Sequence, residues 1–504
     1  MLARLENVEM EVMPNTLRTK TVRGATWTGI ARIGQQLVYF LSTTFLARLL
    51  PATAYGLLGM ATVVIGFITI FKDLGTSAAI IQHQKLTEEL TSSVFWINVL
   101  FGILAAALLL AAAPLLAIFY REPQVIGVIR VLSLSFVISG LGIVHQSLLT
   151  RQMAFNRLAL IEFTSSVGAA IVGIGFAVAG AGVWSLVAVS LVNTALGTLL
   201  LWLFSPWRPQ RILHWAELRS ISAYSLNLSG FNIINYFSRN ADNLLIGRYL
   251  GAQQLGYYSV AYNLMLYPIQ NISWVLGRVL FPAFAQIQHD NVRFRQAYLR
   301  VCAVIAAITF PLMLGMLVTA KPLVSAILGL KWLPIIPLVM ILAPLGMIQS
   351  IITTVGHIYM VKGRTDLMLR FGIVASALVI LAFIVGLSWG IVGVAVAYAV
   401  ATFLLAYPNF AIPFRLFDLP IRALMQTLWP SLMYALIMVG VVGLLQATLA
   451  YFGMTAPSAL LIGSAVGGAL TYLGLMFWRK PPVVQDAVRL LMQRGNPSES
   501  YTAD

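Results

Sequence analysis

Arg32, Gln35, Gln36, Tyr39 and Thr43 stand 3, 4, 7 and 11 residues apart, counted from the arginine, inside one long apolar run. That spacing puts all five on one face of a helix. Asn232, Asn235, Arg239 and Asp242 share a face in the same way, and so do Asn263, Tyr267, Gln270, Trp274 and Arg278 in the following run. An arginine in hydrocarbon costs from about 2.5 kcal/mol upward and is tolerated where it meets protein or water. Its planar fork donates two parallel hydrogen bonds to one phosphate or pyrophosphate, whereas amides and aromatic rings suit sugars. At a rise of about 1.5 Å per residue, Arg32 and Arg278 fall toward the inner leaflet and Arg239 toward the outer one. A purely structural role is the competing explanation. Amide side chains in membrane helices often bond helix to helix, and Arg239 with Asp242 has the spacing of a local ion pair.

The elements that must carry these faces are membrane spans. Of 504 residues, 60% are hydrophobic and only 10% charged, and the mean hydropathy is +0.88. Apolar runs follow one another with short basic connections, which predicts an all-α polytopic membrane protein of about 14 transmembrane helices. Residues 1–23 read as a cytoplasmic tail without an apolar signal core. Residues 24–210 and 211–420 form two six-helix lobes, 421–480 an additional helix pair, and 481–504 a second cytoplasmic tail. The fourth span is expected as one crossing near 126–148.

A net charge of +16 is placed in membrane loops rather than on one domain, which excludes nucleic acid as the partner and points to anionic lipid headgroups. On the expected outer side the basic residues are Arg48, Arg121, Arg130, Arg239, Arg248, Lys321 and Lys331, and nearly all the others fall on the side of the termini. Both termini are therefore expected in the cytoplasm. Cys302 is the single cysteine, and His83, His145, His214, His289 and His357 are scattered without ligand spacing, so no metal site or cofactor is expected. Lys321 and Lys331 follow no glycine-rich phosphate cradle, which argues against ATP-driven transport.

The chain repeats itself. Phe45–Leu58 returns 200 residues later as Leu245–Tyr258, with Arg48 on Arg248, Leu50 on Leu250, Ala52 on Ala252 and Gly56 on Gly256. Under this offset Arg32 falls on Asn232, Gln35 on Asn235 and Tyr39 on Arg239, so the two polar faces superpose. Two repeats of six spans have the same orientation, which implies a parallel pseudo-two-fold axis along the membrane normal. Arg48 and Arg248 read as interface anchors. Asp73 and Glu162, beside Lys72 and Arg157, read as interfacial or ion-paired acids, with a proton relay as the alternative. The last helix pair has no counterpart and reads as peripheral packing or as the wall of a lipid-facing groove. Residues 483–494 suit an amphipathic surface helix.

Ala47-Arg-Leu-Leu-Pro51 with Tyr55-Gly56, Phe71-Lys-Asp-Leu-Gly75, Phe95-Trp96, Val144-His-Gln-Ser-Leu-Leu149 with Arg151, and Trp207-Arg-Pro209 occur in an ordered series. In that series the chain resembles the polysaccharide transporter family, colanic-acid-exporter type, of the multidrug/oligosaccharidyl-lipid/polysaccharide flippase superfamily. The resemblance implies two facing lobes, a cationic central cavity, and movement of undecaprenyl-pyrophosphate-linked oligosaccharide repeat units between leaflets for exopolysaccharide or lipopolysaccharide synthesis. Arg32, Arg239 and Arg278 would supply the cationic groups, with Gln35, Gln36, Tyr39, Asn232, Asn235, Asp242, Gln270 and Trp274 as further substrate contacts.

The leading expectation is thus an inner-membrane flippase that works by alternating access. Its partners would be the lipid-linked oligosaccharide, membrane lipid, and the polysaccharide polymerase or export machinery. A drug or cation antiporter on the same fold is the runner-up, although arginines would repel cations. A membrane polymerase or glycosyltransferase would need a catalytic loop or acid cluster, and the short connections offer neither. A non-transporting scaffold would leave the polar faces unexplained. The chain is accordingly not expected to be an enzyme.

Overall fold

The computed structural model describes residues 34–70, 80, 86–212 and 215–479, with side chains at 215–235, 238, 272–279 and 281 set aside. Among them every regular element is helical. Among the described residues nine helical stretches are long and apolar enough to cross a membrane, or ten with one bent pair added. The protein is a polytopic helical membrane protein, because in hydrocarbon every backbone N–H and C=O must be satisfied within its own segment. Hydroxyls follow the same rule by bonding back to carbonyls one turn earlier, as Thr69 does to Ile65 at 2.8 Å and Thr309 to Ile305 at 2.8 Å. The chain divides into two compact units, residues 1–259 and 260–504.

In the first unit, α1 spans 34–49 and α2 Ala52–Thr69. Pro51 separates them, since proline disfavours a helical residue before it and starts a helix well. Then come α3 (Glu88–Tyr120), α4 (Gln124–Gly140), α5 (Ile143–Arg151), α6 (Phe155–Val178) and α7 (Val183–Phe204). The Thr87 hydroxyl caps α3 by accepting from Leu90 N–H at 3.1 Å, and Glu88 and Glu89 add favourable charge at that end. α6 packs along α7 and α3 along α4. The long helix α8 (Trp215–Gln286) is broken at Gly251, whose φ of 83° is open to glycine and strained for other residues.

The fourth expected span is not one straight crossing: α4 and α5 meet at 41°. The carbonyls loosened at the bend are taken by α7, where Trp202 Nε1 donates to Leu141 O at 2.9 Å and Thr198 Oγ1 to Ile138 O at 3.2 Å. A kink stabilised by a neighbouring helix leaves no proline in its own sequence to announce it.

The second unit continues α8 and adds α9 (Asn291–Val318), α10 (Ile336–Ile352), α11 (Val355–Val361), α12 (Thr365–Gly386), α13 (Gly390–Phe414), α14 (Ile421–Tyr451) and α15 (Pro457–Arg479). Asp290 caps α9, accepting from Val292 and Arg293 N–H at 3.0 Å. α12 and α13 fold back on each other with Gly386 and Gly393 in backbone contact. The last pair is well packed. α14 lies along α9, burying Ala435, Met438 and Val442, and the Tyr472 hydroxyl of α15 donates to Ala307 O at 2.9 Å. Just beyond α11, Lys362 donates to Gln288 O at 2.6 Å and Asn291 Oδ1 at 2.8 Å. Burial pushes its ammonium below the ordinary lysine range, and the Asp418 charge opposes that shift.

Candidate functional site

The two copies of the repeated hairpin meet in the first unit. Residues 34–49 turn at Leu50–Pro51 into α2, and the first part of α8 turns at Gly251 into its continuation. At the crossing, a Cβ on Gly56 would run into the carbonyl oxygen of Ala252, and a Cβ on Gly256 into that of Ala52. Residues equivalent by sequence thus exchange the same contact in both directions, backbone against backbone. The crossing continues with Gly59 beside Leu255 and Ser259.

Further along, α8 is held against α2 and α3. The Tyr236 hydroxyl donates to Val63 O at 2.6 Å in the space left by Gly66, and Phe67 packs on Phe237 with ring centroids 4.9 Å apart. Gly247 admits the Tyr120 ring, and the Arg248 guanidinium lies over Phe119 at 5.7 Å and Tyr249 at 5.9 Å. Arg248 therefore sits among aromatic groups, as an anchoring residue would.

The polar residues then separate by environment. Arg239 is exposed and makes no hydrogen bond or ion pair among the described residues. Asp242, three residues on, is 2% exposed. It accepts from the Tyr258 hydroxyl at 3.0 Å and the Asn243 N–H at 2.7 Å. The local ion pair between Arg239 and Asp242 is therefore not formed. The carboxylate serves the hairpin, joining α8 on either side of Gly251, and the guanidinium is left exposed. On α1, Gln35 and Gln36 are half-buried and Tyr39 is exposed at 54%, with its carbonyl accepting from Ser42 Oγ at 3.1 Å. In the second unit Gln270 is exposed and Tyr267 half-buried.

Arg32 and Asp73 are outside the described residues. Asn232, Asn235, Trp274 and Arg278 are on α8, with side chains outside those described. Glu162 is exposed on α6. Among the described residues no group of His, Cys, Asp or Glu is arranged to hold a metal ion. Tyr258 was missed by helix-face counting on single spans, although the tyrosine follows Gly256 in the repeated hairpin.

Asp242→Ala strips the Tyr258 hydroxyl of its carboxylate acceptor and should lower stability by about 1–3 kcal/mol. Tyr258→Phe in the Asp242→Ala background should add much less than it does alone. Melting of the four proteins in detergent micelles gives the coupling; strictly additive losses would show that the bond contributes nothing.

The sequence series Phe95-Trp96, His145, Arg151 and Trp207 also converges. Phe95, His145, Trp202 and Trp207 form one aromatic cluster, with His145 and Trp202 centroids 4.6 Å apart and Arg208 over Trp202 at 5.5 Å. Trp96 Nε1 donates to Gln210 O at 2.7 Å, Trp207 Nε1 to Glu88 Oε2 at 2.9 Å and Arg151 Nη1 to Ile80 O at 2.7 Å. These residues fasten α3, α5 and the chain after α7 together.

The model of a family described as "Polysaccharide biosynthesis protein" matches residues 45–337, more than half of the chain. The chain belongs to this family. It is 31% identical to the lipopolysaccharide biosynthesis protein WzxC of Escherichia coli (strain K12) over 377 residues, covering 74% of this chain and 76% of that protein. It is 27% identical to the teichuronic acid biosynthesis protein TuaB of Bacillus subtilis (strain 168), covering 95% and 99% of the two. The fold is that of the lipid II flippase MurJ in an inward closed conformation, with a TM-score of 0.71, 16% identity, and coverage of 90% of this chain and 99% of that one. The resemblance read from the motifs is borne out, including the placement among proteins of polysaccharide biosynthesis.

Proposed function

We propose that this family member is a flippase that carries undecaprenyl-pyrophosphate-linked oligosaccharide repeat units across the bacterial inner membrane, with both termini in the cytoplasm. Family membership and the MurJ-like fold support the class of activity. The observation that carries the substrate reading is Arg239, an exposed guanidinium on α8 with no ion pair among the described residues, while Asp242, about one turn on, is buried and bonded to Tyr258. Such a group suits a pyrophosphate and repels a cation. Arg32 and Arg278 would extend the series inward. Gln35, Gln36, Tyr39, Asn232, Asn235, Gln270 and Trp274 would meet sugar, while the isoprenoid stays in lipid. About 14 spans in two lobes related by the repeat would alternate access to these groups. No covalent step is required, and a polymerase or export machinery would act on the product.

Reconstitution tests this directly. Proteoliposomes holding the purified chain and a fluorescent polyprenyl-pyrophosphate oligosaccharide should expose labelled sugar to an added lectin on the opposite face. Cation-exchange activity without sugar exposure would overturn the reading in favour of the antiporter.

A further inference from the structure

A second cationic site lies in the second unit. The start of α9, the end of α13 and the start of α14 border an open cavity of about 710 Å³. Its charged lining is Arg295, Arg415 and Asp418, and Tyr407, Phe414 and Ile421 are among its apolar walls. Arg295 is fixed in place, with Nε donating to Phe417 O at 2.8 Å and Nη2 lying 3.8 Å from Asp418 Oδ2. Asp418 also accepts from Asn291 Nδ2 at 3.5 Å. Lys362, which feels the Asp418 charge, is committed to Gln288 and Asn291. Arg415 is exposed and has neither a hydrogen bond nor an ion pair among the described residues. The lining therefore carries one uncompensated positive charge on a group that binds phosphate oxygens two at a time.

The surface leading away from the cavity is apolar and open. On α13, Val400, Leu404 and Tyr407 are 53%, 73% and 69% exposed, and on α14 Met425 and Trp429 are each 55% exposed. A cationic pocket that opens onto an apolar strip matches an amphiphile with an anionic head and hydrocarbon tails, and Trp429 has the character of a membrane-interface residue.

We infer that this cavity binds the headgroup of one anionic bilayer phospholipid, with its acyl chains along α13 and α14. A single phosphodiester charge balances the cavity, whereas a pyrophosphate brings more negative charge than the Arg295–Asp418–Arg415 set neutralises. None of its lining residues is among the proposed substrate contacts.

Native mass spectrometry of the full chain in micelles with added dioleoylphosphatidylglycerol tests this. Arg415→Gln should weaken retention of one lipid about tenfold. Arg415→Lys, which keeps the charge but not the fork, should fall between that and wild type. Arg422→Gln removes the same charge outside the cavity and should retain the lipid like wild type. Equal losses from Arg415→Gln and Arg422→Gln would reduce the effect to diffuse surface attraction and overturn the site, as would unchanged retention in Arg415→Gln. Inorganic phosphate and pyrophosphate should not displace the lipid. Displacement by polyprenyl pyrophosphate, lost again in Arg415→Gln, would overturn the phospholipid assignment in favour of a substrate site.

Discussion

Arg239→Ala is expected to lower polymer export at least about tenfold, while the protein accumulates in the membrane as wild type does. The unchanged protein level is expected from the structure, and the loss of export from the proposed function. Arg239 is exposed and makes no hydrogen bond or ion pair among the described residues, so its removal strips none of them of a polar partner. The proposed span puts this guanidinium at membrane depth, itself a cost of a few kcal/mol, so the alanine variant should lose no stability. On the proposed reading, what is lost is a forked donor for phosphate oxygen, and Arg239→Lys should restore export only in part because an ammonium keeps charge without the fork. Arg32→Ala has the same expected outcome on sequence grounds alone. The measurement is surface polymer in a strain lacking the chromosomal copy, normalised to membrane abundance. Wild-type export at matched abundance removes the arginine from the site.

The second large effect is at the crossing of the hairpins. Gly56→Ala and Gly256→Ala each place a methyl group where a backbone carbonyl already stands. Backbone cannot rotate out of the way as a side chain can, so α2 and the continuation of α8 must separate. Overpacking of this kind costs about 1–3 kcal/mol and often more. Gly440→Ala, on α14 with nothing within 4 Å of the new methyl, supplies the control and should melt like wild type. Fluorescence-detected melting of the three variants in micelles gives the comparison; a Gly56→Ala protein as stable as Gly440→Ala would mean the helices do not approach so closely.

The offset of 200 residues aligned Gly56 with Gly256, and hydropathy alone identified a chain of membrane helices, since composition leaves no other way to satisfy the backbone in lipid. Partners across a turn were harder to see. Helix-face counting grouped Asp242 with Arg239 because they lie on one helix, yet the carboxylate bonds Tyr258 beyond the break at Gly251. The bend between α4 and α5 was equally hidden, because the groups that stabilise it, Trp202 and Thr198, belong to α7. The Phe95, His145 and Trp207 motifs were legible as residues and not as a cluster, since their meeting depends on three separate segments. The cavity at Arg415 had no periodic signature at all. Its members come from the ends of helices, where the sequence reads as a loop.

The glycine crossing has one more implication. Ala52 faces Gly256 as Ala252 faces Gly56, which makes the contact isologous, the kind that ordinarily joins two identical subunits. Here it is written within a single polypeptide, so each hairpin already carries both complementary surfaces. Replacing residues 45–58 by a copy of 245–258 should therefore leave the crossing closed. Selection at either position is then on the same shape twice, and a bulky residue on one side has no smaller residue available on the other with which to compensate.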